Sequence, residues 1–392
     1  MPASEEQPDF SLVLGGPLFQ LFRRANLTGD HLELLRRRIV LITGVAWVPL
    51  LVLSAVAGHA LGGTTQLPFL HDIEAQVRFL IALPILIAAE LVVHLRLRPV
   101  VAQFVERRIV VTEDMPRFHQ AIHSTLRLRN SVIAELTLVA LVYTAGLSVW
   151  KSQIALGAAS WYATPDTARM HLTAAGYWYA FVSVPLFQFI LLRWYFRLFL
   201  WFRFLWRVSQ LNLHLNPIHP DRAGGLSFLG RSAYAFAPIQ FAQSALLSGL
   251  IASQIFYSGQ ELMTFKIQIA AFVAFLVAMI LLPLAVFTPS LARAKRQGLG
   301  DYGRLASRYV MEFEDKWVRH GAGDEPILGS GDIQSLADLG NSYSVVQEMR
   351  PVPFGLKDVS RLAASTALPL LPLALTVLSL EELVTRLIKV LF

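Results

Sequence analysis

Four groups of residues in this chain combine types and spacings that could do chemistry. Glu90 and His94 stand four apart, so a helix would place them on one face. Glu135, Arg193 and Arg197 lie in two other apolar stretches. Glu90 and Glu135 fall about 8–9 Å from the same membrane boundary, at 1.5 Å per helical residue. Charges at that depth are costly, and they are paired or face water. A carboxylate beside a histidine would take up and release protons or cations. The same carboxylates against the arginines would instead form a structural ion-pair cluster with snorkelling side chains.

The second group is a short turn. Residues 212–225 crowd His214, His219, Asp221 and Arg222 among Pro217, Pro220, Gly224 and Gly225. The prolines hold the backbone, and the glycines permit positive φ or a close approach. Imidazole plus carboxylate could ligate a divalent metal. Arg222 with backbone N–H groups could hold a phosphate or lipid headgroup. The turn could also serve as a gate latch, or Asp221 could simply cap the lead-in to the next helix. The cap is the expected role, and no metal or cofactor is expected.

The third group lies in one apolar stretch. Ala245, Gly249 and Ser253 form a row of small residues, and Ser244, Ser248 and Ala252 form a second. Such rows let helices approach closely. Gln240, Gln243 and Gln254 add amides that lipid would not satisfy, so this helix should be the most enclosed. Its polar face is either interhelical glue or part of a permeation path. The fourth group is the aromatic run from Arg193 to Arg207, with arginines at intervals of four, six and four. That spacing does not fit a voltage sensor, which needs every third position. It fits an interfacial belt of Trp, Phe and Arg.

The elements that must carry these residues follow from composition. Apolar residues make up 55% of the 392 and charged residues only 16%, with a mean hydropathy of +0.51. A water-surrounded globule needs far more polar surface, so the excess must face lipid. The absence of cysteine removes thiol catalysis and Cys-based metal sites. There is no phosphate-binding P-loop, no Gly-x-Ser-x-Gly, no His-Glu-x-x-His and no dinucleotide fingerprint.

Six stretches are long enough to span: 39–58, 79–95, 131–150, 175–197, 233–256 and 267–288. A seventh, 362–380, contains Pro369 and Pro372. It is expected as a kinked span, with a re-entrant hairpin and an amphipathic tail over 381–392 as the alternative. Lys and Arg alternate along the loops. Residues 1–38 hold five, 59–75 none, 96–130 seven, 151–174 two, 198–232 four, 257–266 one and 289–361 ten. Cytoplasmic loops are the basic ones, which predicts a cytoplasmic N-terminus. The net charge of +7 is then a by-product of topology, and nucleic acid is not an expected partner. The expected partners are the lipid bilayer and anionic headgroups, with self-association left open.

The expected architecture is all-α: a polytopic transmembrane bundle of six to seven spans with a small helical subdomain. Residues 1–38 form an N-terminal segment, with 10–22 lying interfacially under the bundle. Residues 39–289 form six spans. Residues 290–361 form a cytoplasmic helical subdomain, with one helix capped by Asp301 and another opened by Asp332. Residues 362–392 form the seventh apolar segment and tail.

Two stretches carry a resemblance: His219-Pro-Asp-Arg-Ala-Gly-Gly-Leu226 within 219–230, and 328–343 continuing to Met349-Arg-Pro-Val-Pro-Phe354. They resemble segments of an uncharacterised family of multi-pass bacterial inner-membrane proteins. The resemblance implies that setting and supplies no activity. The leading expectation is passage or sensing of a small ion or solute across the bundle. The alternatives are a membrane-embedded enzyme or headgroup-binding protein at the cytoplasmic surface, and a structural scaffold. Catalysis is the less favoured of these.

Overall fold

The computed structural model describes residues 10–17, 20, 34–62, 65, 67–146, 160–165, 170–319 and 329–376. Among these residues the chain is all-α except for one small hairpin, β1 (Ala163–Pro165) and β2 (Met170–Leu172), paired antiparallel. Six helices are long and apolar enough to cross a membrane. They are α1 (Leu35–Val56), α2 (Ile73–Glu106), α5 (Ala174–Ser209), α6 (Ser227–Ser258), α7 (Leu262–Arg319) and α9 (Leu356–Thr376). Three further helices are α3 (Met115–Arg129), the short apolar α4 (Val132–Thr144) and α8 (Gly331–Gln347). The protein is a multi-pass membrane protein. The seven apolar stretches of the sequence map onto α1, α2, α4, α5, α6, α7 and α9, although the outer end of the third stretch and residues 377–392 lie outside the described residues.

The bundle has two ends. Residues 107–131, 210–226 and α8 lie at one, which carries most of the arginines and is termed the basic end. Residues 57–62, 67–72, 160–165, 170–173 and 259–261 lie at the far end. Helix α6 packs on α2 along its length and on α9, and α5 packs on α1, α3 and the 282–287 part of α7. Gly249 lets α6 approach α2, because a Cβ there would stand 3.2 Å from Val77 Cβ. Exposed Val40, Val52, Ile133, Leu136, Ile267 and Phe275 give the bundle an apolar exterior suited to hydrocarbon.

Three sequence expectations need correction. The 10–22 segment does not lie under the bundle where it is described. Phe10, Leu12 and Val13 are buried within the core, and Phe10 packs on Trp201 and Phe204. Aromatic burial outweighs an interfacial position, and Gly15 and Gly16, with φ of 129° and 90°, turn the chain back out. Second, Asp301 caps no helix. Helix α7 runs unbroken from the membrane-spanning part through residues 290 and 301. Gly298 persists inside it because Pro217 packs there, 2.5 Å from where a Cβ would stand. Third, α9 begins at Leu356, before the apolar stretch, and its proline-bearing part, Leu368–Thr376, winds as a tighter 3₁₀ helix. Helix α8 packs back along the outer part of α7, where Lys316 and Trp317 both donate to Asp332 Oδ2, at 2.8 and 3.1 Å.

Candidate functional site

Glu90 lies in α2, and its carboxylate meets arginines from two other helices. Arg38 of α1 donates to Oε2, and Arg197 of α5 donates to Oε1 at 2.8 Å. Arg193 stands 3.5 Å from the same Oε1 and 3.6 Å from Glu135 Oε1. All four central side chains are buried. Arg193 and Arg197 are four apart, so one face of α5 delivers both. The Arg197 guanidinium also stacks over Trp194, 4.6 Å from its centroid. The cavity among these groups is only about 20 Å³, room for a single water. Chemically the arrangement is a packed ion-pair network.

His94 belongs to the same face of α2 but turns to the N-terminal segment. Its Nδ1 lies 2.9 Å from Ser11 Oγ. That oxygen already accepts from the N–H groups of Val13 and Leu14, at 3.1 and 2.9 Å. The hydroxyl hydrogen is therefore free to donate, which makes Nδ1 the acceptor. Arg129 of α3 donates to the Ser11 carbonyl. Residues 10–14 thus close the basic end over the Glu90 network.

The 212–227 turn is a second built feature. Asp221 Oδ1 accepts from the N–H groups of Ala223 (2.8 Å) and Gly225 (3.1 Å), and Oδ2 from that of Ser227 (3.0 Å). Burial raises the Asp221 pKa, but the three N–H bonds and nearby His219 outweigh it and hold the carboxyl below its usual range. His219 Nδ1 lies 2.9 Å from Asp221 Oδ1. His214 is exposed, and its backbone N–H donates to the Ile109 carbonyl at 2.7 Å. Among the described residues no three His, Asp or Glu side chains gather as metal ligands. Arg222, with φ of 55°, pairs with Glu348 at 2.8 Å. Arg350 donates through its side chain to the Asp221 carbonyl (3.0 Å) and through its N–H to the Arg222 carbonyl (2.7 Å). The 221–222 turn and residues 348–350 therefore dock on each other. Phe354 and Pro353 also press on Gly230, where a Cβ would stand 2.9 Å from the Pro353 carbonyl oxygen.

A roomier space than the one at Glu90 lies elsewhere. A cavity of about 570 Å³ enters from the far end between α2, α5 and α6. Asp72, Glu74, Arg78, Tyr162 and Tyr179 line it toward the far end, and Gln188, Tyr195 and Gln243 line it deeper, among mostly apolar walls that include Phe187, Leu246 and Phe272. π-helical turns at Val77–Ala82 in α2 and Tyr179–Ser183 in α5 bring Arg78 and Tyr179 together, and Arg78 donates to the Tyr179 hydroxyl. Glu74 stands 3.9 Å from Arg78. Asp72 accepts from the Ala75 N–H and from Trp161 Nε1, at 3.0 and 2.9 Å. Burial pushes the Tyr162 phenol above its ordinary pKa.

Of the three glutamines expected on α6, two are buried and one is half-buried. Gln240 donates to the Leu276 carbonyl of α7 at 2.8 Å, so it is interhelical glue. Gln243 Oε1 accepts from the Tyr195 hydroxyl at 2.6 Å, while its Nε2 finds no acceptor among the described residues. Gln254 does not line the cavity, whereas Ser253 does. The cavity mouth is hard to read in the sequence because its loop, 59–75, carries no Lys or Arg to mark it. The usable signal was Glu74 and Arg78, four apart at the very start of an apolar stretch. Comparison with known protein families, curated proteins and solved structures returns no match for this chain.

Proposed function

We propose that this membrane protein admits a small polar solute into the bundle from its far end, as the first step in passing or sensing that solute. The observation that carries the reading is the cavity of about 570 Å³ that reaches Tyr195 and Gln243 between the helices. Its mouth offers both signs of charge, and its interior offers neutral hydrogen-bonding groups. That pairing suits a small solute that is bound by orientation rather than by charge alone. The buried Gln243 amide, a donor with no acceptor among the described residues, supplies a reason for a ligand to stop there. The Glu90 network and residues 10–14 act as the seal at the basic end, so entry is from one side in this conformation.

The setting we infer is a bacterial inner membrane with the N-terminus and α8 in the cytoplasm. The distribution of Lys and Arg supports it, as does the resemblance carried by residues 219–230 and 328–354. The cavity would then open to the periplasm. The test uses the absence of native cysteine. Ser253→Cys places a thiol on the cavity wall, and Ser244→Cys places one in the core away from it. A small hydrophilic methanethiosulfonate should label position 253 at least about tenfold faster than position 244. Equal, slow labelling of both in the folded protein would reduce the cavity to a packing defect and end the reading.

A further inference from the structure

At the basic end, a groove of about 690 Å³ runs between the last turns of α2 and the start of α6. Arg96 and Gln103 on one face of α2 and Arg107 just past its end line one side, and Arg231 and Ser232 face them from α6. Arg96 donates to the Tyr234 carbonyl at 3.2 Å, which anchors its guanidinium across the groove. The Arg107 guanidinium lies over the Phe228 ring at 5.2 Å. Neither contact neutralises charge. Among the described residues Arg96, Arg107 and Arg231 make no ion pair with a carboxylate, although Glu106 stands on the same rim. Three guanidiniums beside one carboxylate leave the groove cationic.

The groove is also amphipathic. Leu95, Pro99, Val100 and Phe228 form its apolar walls, and Leu95 is 61% exposed toward the lipid-facing exterior. A free anion would use the arginines and leave those walls wet. A phospholipid uses both, with its phosphate among the guanidiniums and its glycerol and first methylenes against the walls. Arg222 is not available for such a role, because it pairs with Glu348.

We propose that the Arg96–Arg107–Arg231 groove binds the phosphodiester headgroup of an anionic membrane lipid. The lipid would bridge α2 and α6, the same two helices that flank the cavity at the opposite end. Bridging makes their relative position sensitive to the anionic lipid content of the leaflet.

The test uses the full-length protein in detergent, with lipid binding read by native mass spectrometry and thermal shift. Phosphatidylglycerol should bind and raise the melting temperature, and phosphatidylcholine should do neither at equal concentration. Arg231→Gln, an exposed change on a side chain with no protein partner among the described residues, should weaken phosphatidylglycerol binding about fivefold. The triple change Arg96→Gln, Arg107→Gln and Arg231→Gln should weaken it about a hundredfold. Arg304→Gln, on the outer part of α7, should leave it unchanged. If the triple variant does not fold, the single Arg231→Gln decides. Equal binding of both lipids, or full phosphatidylglycerol binding by Arg231→Gln, overturns the proposal. Inorganic phosphate that protects as well as phosphatidylglycerol would also overturn it, assigning the groove to a free anion.

Discussion

Asp221 shows how a single carboxylate organises a turn. Its three N–H bonds leave little for a ligand, so its work is structural. Asp221→Ala should lower stability by about 2 kcal/mol, read from detergent-solubilised unfolding curves. The pH dependence has a definite sign. The folded carboxyl titrates below the unfolded value of about 3.9. Its stabilisation is therefore fully present above about pH 4 and is lost as pH falls through the lower, folded value. The wild-type protein should lose stability more steeply in that acid range than Asp221→Ala does; parallel curves would contradict the assignment. Glu90 is a different case. Glu90→Gln keeps the shape but leaves Arg38, Arg193 and Arg197 without their central charge. Breaking one member of such a buried network costs about 3 kcal/mol or more. A melting temperature within a degree of wild type would show that the network contributes little.

At the scale of elements, the long helix α7 depends on where its glycines sit. Gly298 has Pro217 against it, and Gly340 in α8 has open space around it. Glycine inside a helix costs up to about 1 kcal/mol relative to alanine. Gly340→Ala should recover part of that and raise the melting temperature. Gly298→Ala gains the same propensity but drives a Cβ into a rigid pyrrolidine, and overpacking costs roughly 1–3 kcal/mol. It should destabilise and loosen the 212–227 turn from α7, visible as faster hydrogen exchange at Gly225 and Ser227. Both glycines sit inside helices, and the neighbour decides the sign.

At the scale of the molecule, orientation is the open property with the plainest test. Gln260→Cys lies exposed at the far end, and Ser335→Cys lies exposed on α8. In intact cells a membrane-impermeant maleimide should label position 260, and should reach position 335 only after permeabilisation; the reverse pattern would invert the proposed topology. What the sequence by itself determined is the class: an all-α, multi-pass membrane protein follows from apolar runs of bilayer length, a property of contiguous residues. It also brought Glu90, Glu135, Arg193 and Arg197 forward as a group, because any charge within an apolar run stands out. Tertiary structure decided what those charges do. Three arginines converge on Glu90 from α1 and α5, and no local pattern encodes that convergence of residues 52 and more positions apart. It likewise decided that Phe10, Leu12 and Val13 enter the core, that Arg350 reaches back to the 221–222 turn, and that a roomy cavity lies beside Arg78 and Tyr179 rather than at Glu90. Cavities and long-range pairs are differences between packed surfaces, so they exist only once the helices have found their partners.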